Sequence, residues 1–461
     1  MKNKILSLIT IILVIILALS VVACTFTYVT TTPTSNTSNI ESPEPPTSDP
    51  IDYSDTMFLV DYLFKNFSIF DVDYETAMLA ALRAYVGATG DRYAMYYTPD
   101  ELKAMQEENN GDLYGIGVQV IFDYEEYFME IVLIMPDSPA QSKLQVGDKV
   151  THIFDGENTV SLADIVEENK VKAQNVYPDY TEEEINNVAC YETFQYAVSK
   201  LKGPENTYAK FVVNRDGEEI EYNIQRAKVK TVSVTCKTSI RDPKVGIVAI
   251  SQFDLTTPVQ FKESMDSLIA SGCNKFVFDL RNNPGGDLAS VVAVLSTLLQ
   301  RNDVIVSTKD TNGNTSVTKV NEIKYPATDD YSTCNVTSSD IGKYRGYEYV
   351  VLADGNSASA AELFTSALRD HNLAKIVGVK TYGKGSMQSI YSLSAFGEDY
   401  HGALKLTTKL YFPPSGVGYD GLGITPDYEV ELEGIAAETH FYKLTEDIDN
   451  QLQKAVSLLI D

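Results

Sequence analysis

The spacing of apolar positions changes several times along this chain, and each change predicts a different kind of structure. From Ile5 to Ala23 every residue is uncharged and most are apolar; such a run, at about 18 residues or more, is long enough to span a bilayer. Residues 25–54 are rich in Thr, Ser and Pro, and up to about Pro50 have almost no large apolar side chains beyond Phe26 and Tyr28. That composition cannot offset its chain entropy by burial and predicts a flexible tether. Over 55–110 a helical period sets in. Met57, Val60, Leu63, Phe64 and Phe67 share one spacing, Met78, Leu79, Leu82 and Val86 repeat it, and Gly87 and Gly90 interrupt it. Thr98-Pro99-Asp100 opens another helix with Pro in its first turn. Nothing in this region looks catalytic; it is expected to pack or pair, a homodimer contact included.

From Gly111 the period falls to two. Gly115 to Ile121 leads into a strand and Glu130–Met135 forms a second. Pro136-Asp137-Ser138-Pro139-Ala140 reads as a helical start. Ala209–Asn214 and Glu219–Gln225 flank Arg215-Asp216-Gly217, a good hairpin signal. The stretch Val160–Tyr191, with Glu182, Glu183 and Glu184, interrupts this β-rich unit (111–228) and is expected to be an exposed helical insertion at 160–191. From Val245 strands and helices alternate. The predicted strands are Val245–Ile250, Phe276–Leu280, Tyr349–Leu352, Ile376–Val379 and Leu404–Tyr411; the predicted helices are Pro258–Ser271, Leu288–Gln300 and Ala360–Arg369. This pattern predicts an α/β core over 229–461, a mainly parallel sheet covered by helices, with ligands outside the carboxyl ends of the strands.

The start of the chain bears on compartment. Lys2 and Lys4 precede the apolar run, which ends in Val21-Val22-Ala23-Cys24; this is the layout of a secretory signal. The last four residues resemble a bacterial lipobox, which implies that Cys24 is lipidated and becomes the mature N-terminus. An uncleaved anchor helix over residues 1–24 is the alternative, and both put the rest of the chain outside the cytoplasm, held at the membrane. The net charge of −27 argues against nucleic acid and against anionic lipid surfaces. Cys190, Cys236, Cys273 and Cys334 are far apart and show no metal spacing, and Cys273 is expected to be a buried thiol. None of His152, His371, His401 and His440 lies in a zinc pattern. Neither a metal nor an organic cofactor is expected.

Three motifs carry the chemistry. Asp279-Leu280-Arg281-Asn282-Asn283-Pro284-Gly285-Gly286-Asp287 places two glycines after a strand, where backbone N–H groups can face a bound oxygen; an ordinary Pro-Gly-Gly turn reads the same way. Gly355 to Glu362 joins a strand to a helix and sets Ser359 at the helix N-terminus, where free N–H groups favour a developing negative charge. Ser359 with Glu362 also fits a capping box. Thr381-Tyr382-Gly383-Lys384-Gly385-Ser386-Met387-Gln388 follows a third strand. A lysine there works as a base only if its pKa falls by several units from about 10.4, which burial can achieve; a solvated loop lysine is the plainer reading. Asp370-His371 invites a Ser-His-Asp reading, but His371 follows a helix end, where a surface histidine favourably meets the dipole.

In order and spacing these motifs resemble the C-terminal processing peptidase family of serine peptidases. The resemblance extends to Gly90-Asp91-Arg92-Tyr93, to Asp137-Ser138-Pro139-Ala140 with Gly147-Asp148, and to Pro414-Ser415-Gly416 and Gly423-Ile424-Thr425-Pro426-Asp427. It implies a ClpP/crotonase-like α/β peptidase core with an inserted PDZ domain and a helical N-terminal region. It implies Ser359 as nucleophile, Lys384 as general base and Gln388 as its positioner. Ala360 would supply one oxyanion N–H and the pair Gly285-Gly286 the other, with Gly286 favoured. Gly115, Ile116, Gly117 and Val118 would bind the carboxylate of a peptide tail. Asp370 matches a family position and is read as structural. The implied activity is serine endopeptidase, on protein or peptide substrates with exposed C-termini. A catalytically inactive tail-binding lipoprotein and an acidic solute-binding lipoprotein are the rival readings. The chain departs from the family at Ala361 (often Ser), at Val146 (usually Pro), at the insertion over 160–191, and in a long span from Lys309 to Gly346.

Overall fold

The structure, a computed structural model, describes residues 54–326, 330–398 and 400–460. The apolar run, Cys24 and the tether lie outside these residues. Among the described residues no helix is long and apolar enough to cross a membrane.

Two compact units are present. The smaller contains helix α1 (Ser54–Phe67), helix α2 (Tyr74–Ala88), strand β1 (Met95–Tyr97) and residues 387–408. Asp73 caps α2 through the Thr76 N–H. β1, which the helical period did not predict, pairs antiparallel with Ala403–Lys405. Phe58, Phe64 and Phe67 of α1, and Ile69 and Phe70 after it, are exposed.

The larger unit begins in helix α3 (Pro99–Asn109) and includes a β-rich body and the α/β core. The β-rich body is closed by a ladder between β2 (Asp112–Gly115) and a later strand, Ala227–Lys230. Between them lie β3 (Val118–Phe122), β4 (Met129–Ile134), β5 (Lys149–Asp155), β6 (Asn158–Ser161), helices α4 (Leu162–Val176) and α5 (Glu182–Leu201), β7 (Tyr208–Arg215) and β8 (Glu218–Gln225). The sheet runs β3-β4-β5-β7-β8, with β6 on β5. Asp216 and Gly217, both at positive φ, form the β7–β8 turn.

Two expectations are corrected here. Residues 136–145 form turns rather than a helix, with Asp137 at φ +55° breaking any regular start. The stretch 160–191 is not an exposed insertion. Leu162, Ile165, Val166 and Ala173 share a face of α4, and Ile185, Ala189 and Cys190 do so on α5; all are buried, most of them in the main core beside Met129, Ile131 and Phe211. The acidic run Glu182–Glu184 is the first turn of α5, where Thr181 and Glu184 form a capping box and the helix dipole favours carboxylates.

In the core, the strand Ala227–Lys230 (β9) is followed by β10 (Val234–Thr238), β11 (Val245–Ile250), α6 (Thr257–Ala270), β12 (Lys275–Asp279), α7 (Leu288–Ser296), β13 (Val304–Asp310), β14 (Thr315–Lys319), β15 (Glu348–Ala353), α8 (Ala360–Asp370), β16 (Ala374–Gly378), β17 (Tyr428–Glu429) and α9 (Asn450–Ile460). The sheet order is β10-β11-β12-β15-β16-β17, parallel from β11 onward. Its four inner strands, β11, β12, β15 and β16, are apolar on both faces, as buried parallel strands are. Val245, Ile247, Val277, Val350, Leu352 and Val377 pack under Leu452, Val456 and Leu459 of α9. Phe278 faces the other way, onto Phe261 of α6 and Phe364 of α8. Arg281, 5% exposed, closes the α9 side: its guanidinium donates to Asp279, Asp449 and Gln451 at 2.6–3.0 Å.

Candidate active site

The three motifs leave the carboxyl ends of adjacent parallel strands, β12, β15 and β16, whose last pairs are Asp279↔Leu352 and Ala353↔Gly378. After β15 the chain turns sharply. Asp354 fixes the turn, its Oδ1 accepting the N–H groups of Asn282, Asn356 and Ser357 at 3.0 Å each. The buried position of Asp354 pushes its carboxyl up despite these donors. Ser359 then precedes the first residue of α8 with φ +54° and ψ −115°, 6% exposed. A non-glycine residue in that region stores about 1–3 kcal/mol and persists only where neighbours impose it.

Here the neighbour is Glu362, fully buried. Its Oε2 accepts the N–H of Ser359 at 3.0 Å and the N–H of Lys384 at 2.7 Å. Its Oε1 accepts the Thr381 hydroxyl at 2.6 Å and the Gly383 N–H at 2.7 Å. The two chain positions expected to do chemistry are thus one hydrogen bond each from the same oxygen atom. Burial pushes the Glu362 carboxyl up to about 7, against the pull of its four donors. Lys384 itself is 2% exposed, so it is not the solvated loop lysine of the plainer reading. Sequence reasoning gave Glu362 only a capping role. The signal for more was its setting among Ala360, Ala361, Leu363 and Phe364, an otherwise uninterrupted apolar run that marks this turn as buried all round.

The glycine pair lies beside the serine. A Cβ built on Gly285 would fall 2.7 Å from the Ser359 Cβ and 2.9 Å from the Ala360 nitrogen. The Gly285 N–H is taken by Asn283 Oδ1 at 2.8 Å, and its carbonyl accepts from the Phe253 N–H at 2.8 Å. The peptide plane is trans, so the Gly286 N–H points away from Phe253. Ala360 opens α8, where the first N–H groups have no partner within the helix.

Gln388 lies in the strand Ser386–Ser392, within the smaller unit. It donates to the Thr407 hydroxyl at 3.1 Å, and Thr407 donates through its N–H and its hydroxyl to Asp91 at 2.7 and 2.9 Å. Asp91 thereby orients Gln388 through Thr407, a link that sequence reasoning missed. His371 and Asp370 sit at the far end of α8 from Ser359. His371 Nε2 pairs with the Val304 carbonyl, and Asp370 accepts from the Ser415 N–H.

Gly115, Ile116, Gly117 and Val118 form the loop from β2 into β3. The Ala140 N–H donates to the Ile116 carbonyl and the Met135 N–H to the Gly117 carbonyl, each at 3.0 Å. Planar trans peptides therefore turn the N–H groups of Gly117 and Val118 away from these two partners. Gly117 has φ +79°, and a Cβ there would lie 2.2 Å from the Ser138 Cβ. Its glycine is required by the chain's own Ser138, whatever the loop binds.

Residues 244–430 match the model of peptidase family S41. The chain is 27% identical over 352 residues to a CtpA-like serine protease of Staphylococcus haemolyticus, covering 76% of this chain and 59% of that one. It is 28% identical over 348 residues to a carboxy-terminal-processing protease of Bartonella bacilliformis, covering 74% and 67%. The matched region thus spans about three-fifths to two-thirds of these relatives. Among solved structures, a photosystem II D1 C-terminal processing protease aligns with TM-score 0.42 and 20% identity over 82% of this chain and 88% of its own. Residues 244–430 thus match peptidase family S41, and the chain as a whole is similar to the carboxy-terminal processing proteases.

Proposed function

We propose that this protein is a serine endopeptidase that acts on protein tails outside the cytoplasm, with Ser359 as nucleophile and Lys384 as general base. One observation carries the reading: Ser359, in a strained turn, and the buried Lys384 are tied to the same oxygen of Glu362. The neutral amine of Lys384 takes the Ser359 proton as Oγ attacks the peptide carbonyl. The N–H groups of Ala360 and Gly286 hold the oxyanion. As the C–N bond breaks, the lysine ammonium gives its proton to the leaving amine. Water, deprotonated by Lys384, then releases the acyl group and restores Ser359.

The β-rich body over 111–228 acts as a PDZ-like module. A tail would join the edge strand β3, its carboxylate held by the outward N–H groups of Gly117 and Val118. Lipidated Cys24, or the uncleaved apolar run, anchors the chain at the membrane, and the exposed apolar side chains of α1 support pairing into a homodimer. The direct test is Ser359→Ala, with a fluorophosphonate probe on both proteins. Wild type should cleave and be labelled at Ser359, and the variant should do neither. Cleavage by the variant at the wild-type rate refutes the nucleophile; a wild type that neither cleaves nor labels leaves the inactive tail-binding reading.

A further inference from the structure

We propose that Asp420 is a positioning residue for Lys384, working from a strap, residues 419–424, that grips the lysine loop at the edge opposite Glu362. The inference rests on the reading of Lys384 as the base. The peptide joining Gly383 to Lys384 is held at both edges. Its N–H donates to Glu362, and its carbonyl accepts from the Gly421 N–H at 2.8 Å. In a trans peptide these two groups point in opposite directions, so the strap and Glu362 lie at opposite edges of that peptide. The next N–H, that of Gly385, donates to Asp420 Oδ1 at 2.9 Å. The Gly385 carbonyl accepts from the Tyr411 N–H at 2.7 Å. Further along the strap, the Ile424 N–H donates to the Thr381 hydroxyl at 2.7 Å, and that hydroxyl itself donates to Glu362.

The fit leaves no slack. A Cβ on Gly385 would lie 2.7 Å from the Asp420 nitrogen, and a Cβ on Gly383 would lie 2.7 Å from the Gly423 nitrogen. Among these contacts only Asp420 and Glu362 reach the peptides flanking Lys384 through carboxylates. Glu362 holds the lysine from the serine side and Asp420 from the strap side. Gly385 is buried whereas Asp420 is exposed. Removing the carboxylate therefore leaves a buried N–H without its acceptor while disturbing little packing. An N–H freed on the residue after Lys384 lets the base drift, and a displacement of about 1 Å at a reacting group can cost about 10²-fold in rate.

The test is steady-state kinetics of the full chain in detergent on one peptide substrate, with kcat expressed per active site titrated by fluorophosphonate. Asp420→Ala should lower kcat by about 10-fold or more and leave KM within about twofold, since the loss falls on chemistry and not on binding. Asp420→Asn keeps an oxygen for the Gly385 N–H and should return kcat to within about threefold of wild type. A merely structural role would lower the fraction of titratable sites and leave kcat per site unchanged. Wild-type kcat in the Ala variant overturns the proposal, and so does an Asn variant as impaired as Ala. Ser359→Ala and Lys384→Arg run in parallel separate the two readings. If either keeps its activity, the dyad reading fails; if both are inactive while Asp420→Ala is unimpaired, only the role of Asp420 falls.

Discussion

Replacing Glu362 by Gln should uncouple the site without emptying it. The carboxylate accepts four hydrogen bonds, and an amide can accept on one end only. The cheaper orientation keeps the amide oxygen toward the N–H groups of Ser359 and Lys384 and turns the NH2 toward Thr381 and Gly383. The Thr381 hydroxyl can then accept, but the Gly383 N–H, now 2.7 Å from a donor, loses its partner. One buried donor left unsatisfied costs about 1–3 kcal/mol. If that falls wholly on the transition state, kcat drops by about 5- to 150-fold. KM should change little, because no substrate contact is removed. The pH dependence separates activity from stability. The ionised carboxylate suits four donors, so if activity needs that form this group should give wild type an acid limb near pH 7. Stability runs the other way. A carboxyl raised from 4.5 to about 7 is at ease protonated, and its contribution is full below about 4.5 and lost as pH rises through 7. The shift corresponds to about 3 kcal/mol at 1.36 kcal/mol per unit. Denaturant titrations at pH 5 and pH 8 should therefore show wild type losing more stability than Glu362→Gln by an amount of that order. The reasoning is refuted if the Gln variant keeps wild-type kcat, or if the two proteins show the same stability difference between those pH values.

Lys384→Arg should be inactive on any peptide, because guanidinium keeps the charge but cannot accept a proton near neutral pH; measurable turnover in that variant would contradict the base. Peptides that differ only in a C-terminal acid or amide should show higher kcat/KM for the acid if Gly117 and Val118 hold a carboxylate, and equal values would remove tail recognition while leaving the dyad. Gly117→Val should lower the melting temperature through its clash with Ser138 and its strained backbone, and Ser138→Gly in the same chain should recover part of the loss. Asp449→Ala leaves buried Arg281 with Asp279 as its one remaining carboxylate and should cost about 3–5 kcal/mol by calorimetry, the range for breaking a buried ion pair.

Much of the core could be read from the chain because its strands are short apolar runs punctuated by glycine, and each motif begins where a run ends. Ser359, Lys384 and the Gly285-Gly286 pair were legible as positions. Their mutual arrangement was not, because it depends on Glu362, whose spacing to Ser359 also satisfies a capping box. Both roles hold at once: the same carboxylate caps the serine N–H and reaches across to the next strand's loop. Asp420 left no trace in sequence, being far from Lys384 along the chain and exposed. The acidic run Glu182–Glu184 misled for an instructive reason. Charge in a sequence suggests solvent, but three acids at a helix N-terminus describe only its first turn, and the rest of α5 is packed. The three-residue strand β1 was too short for any period to emerge.

If tails dock on the Gly115–Val118 loop, the contact between Gly117 and Ser138 bears on binding kinetics as well as on shape. A loop whose carbonyls are already bonded to Met135 and Ala140, and whose single conformation is enforced by a neighbouring side chain, has little freedom left to lose when a ligand arrives. The entropy of ordering a receptor loop then drops out of the association, which becomes close to rigid docking. Differences among tails would be expressed in how slowly they leave rather than in how fast they arrive. The amides of Met135 and Ala140, which hold the loop, should exchange with solvent as slowly in the free protein as in the occupied one.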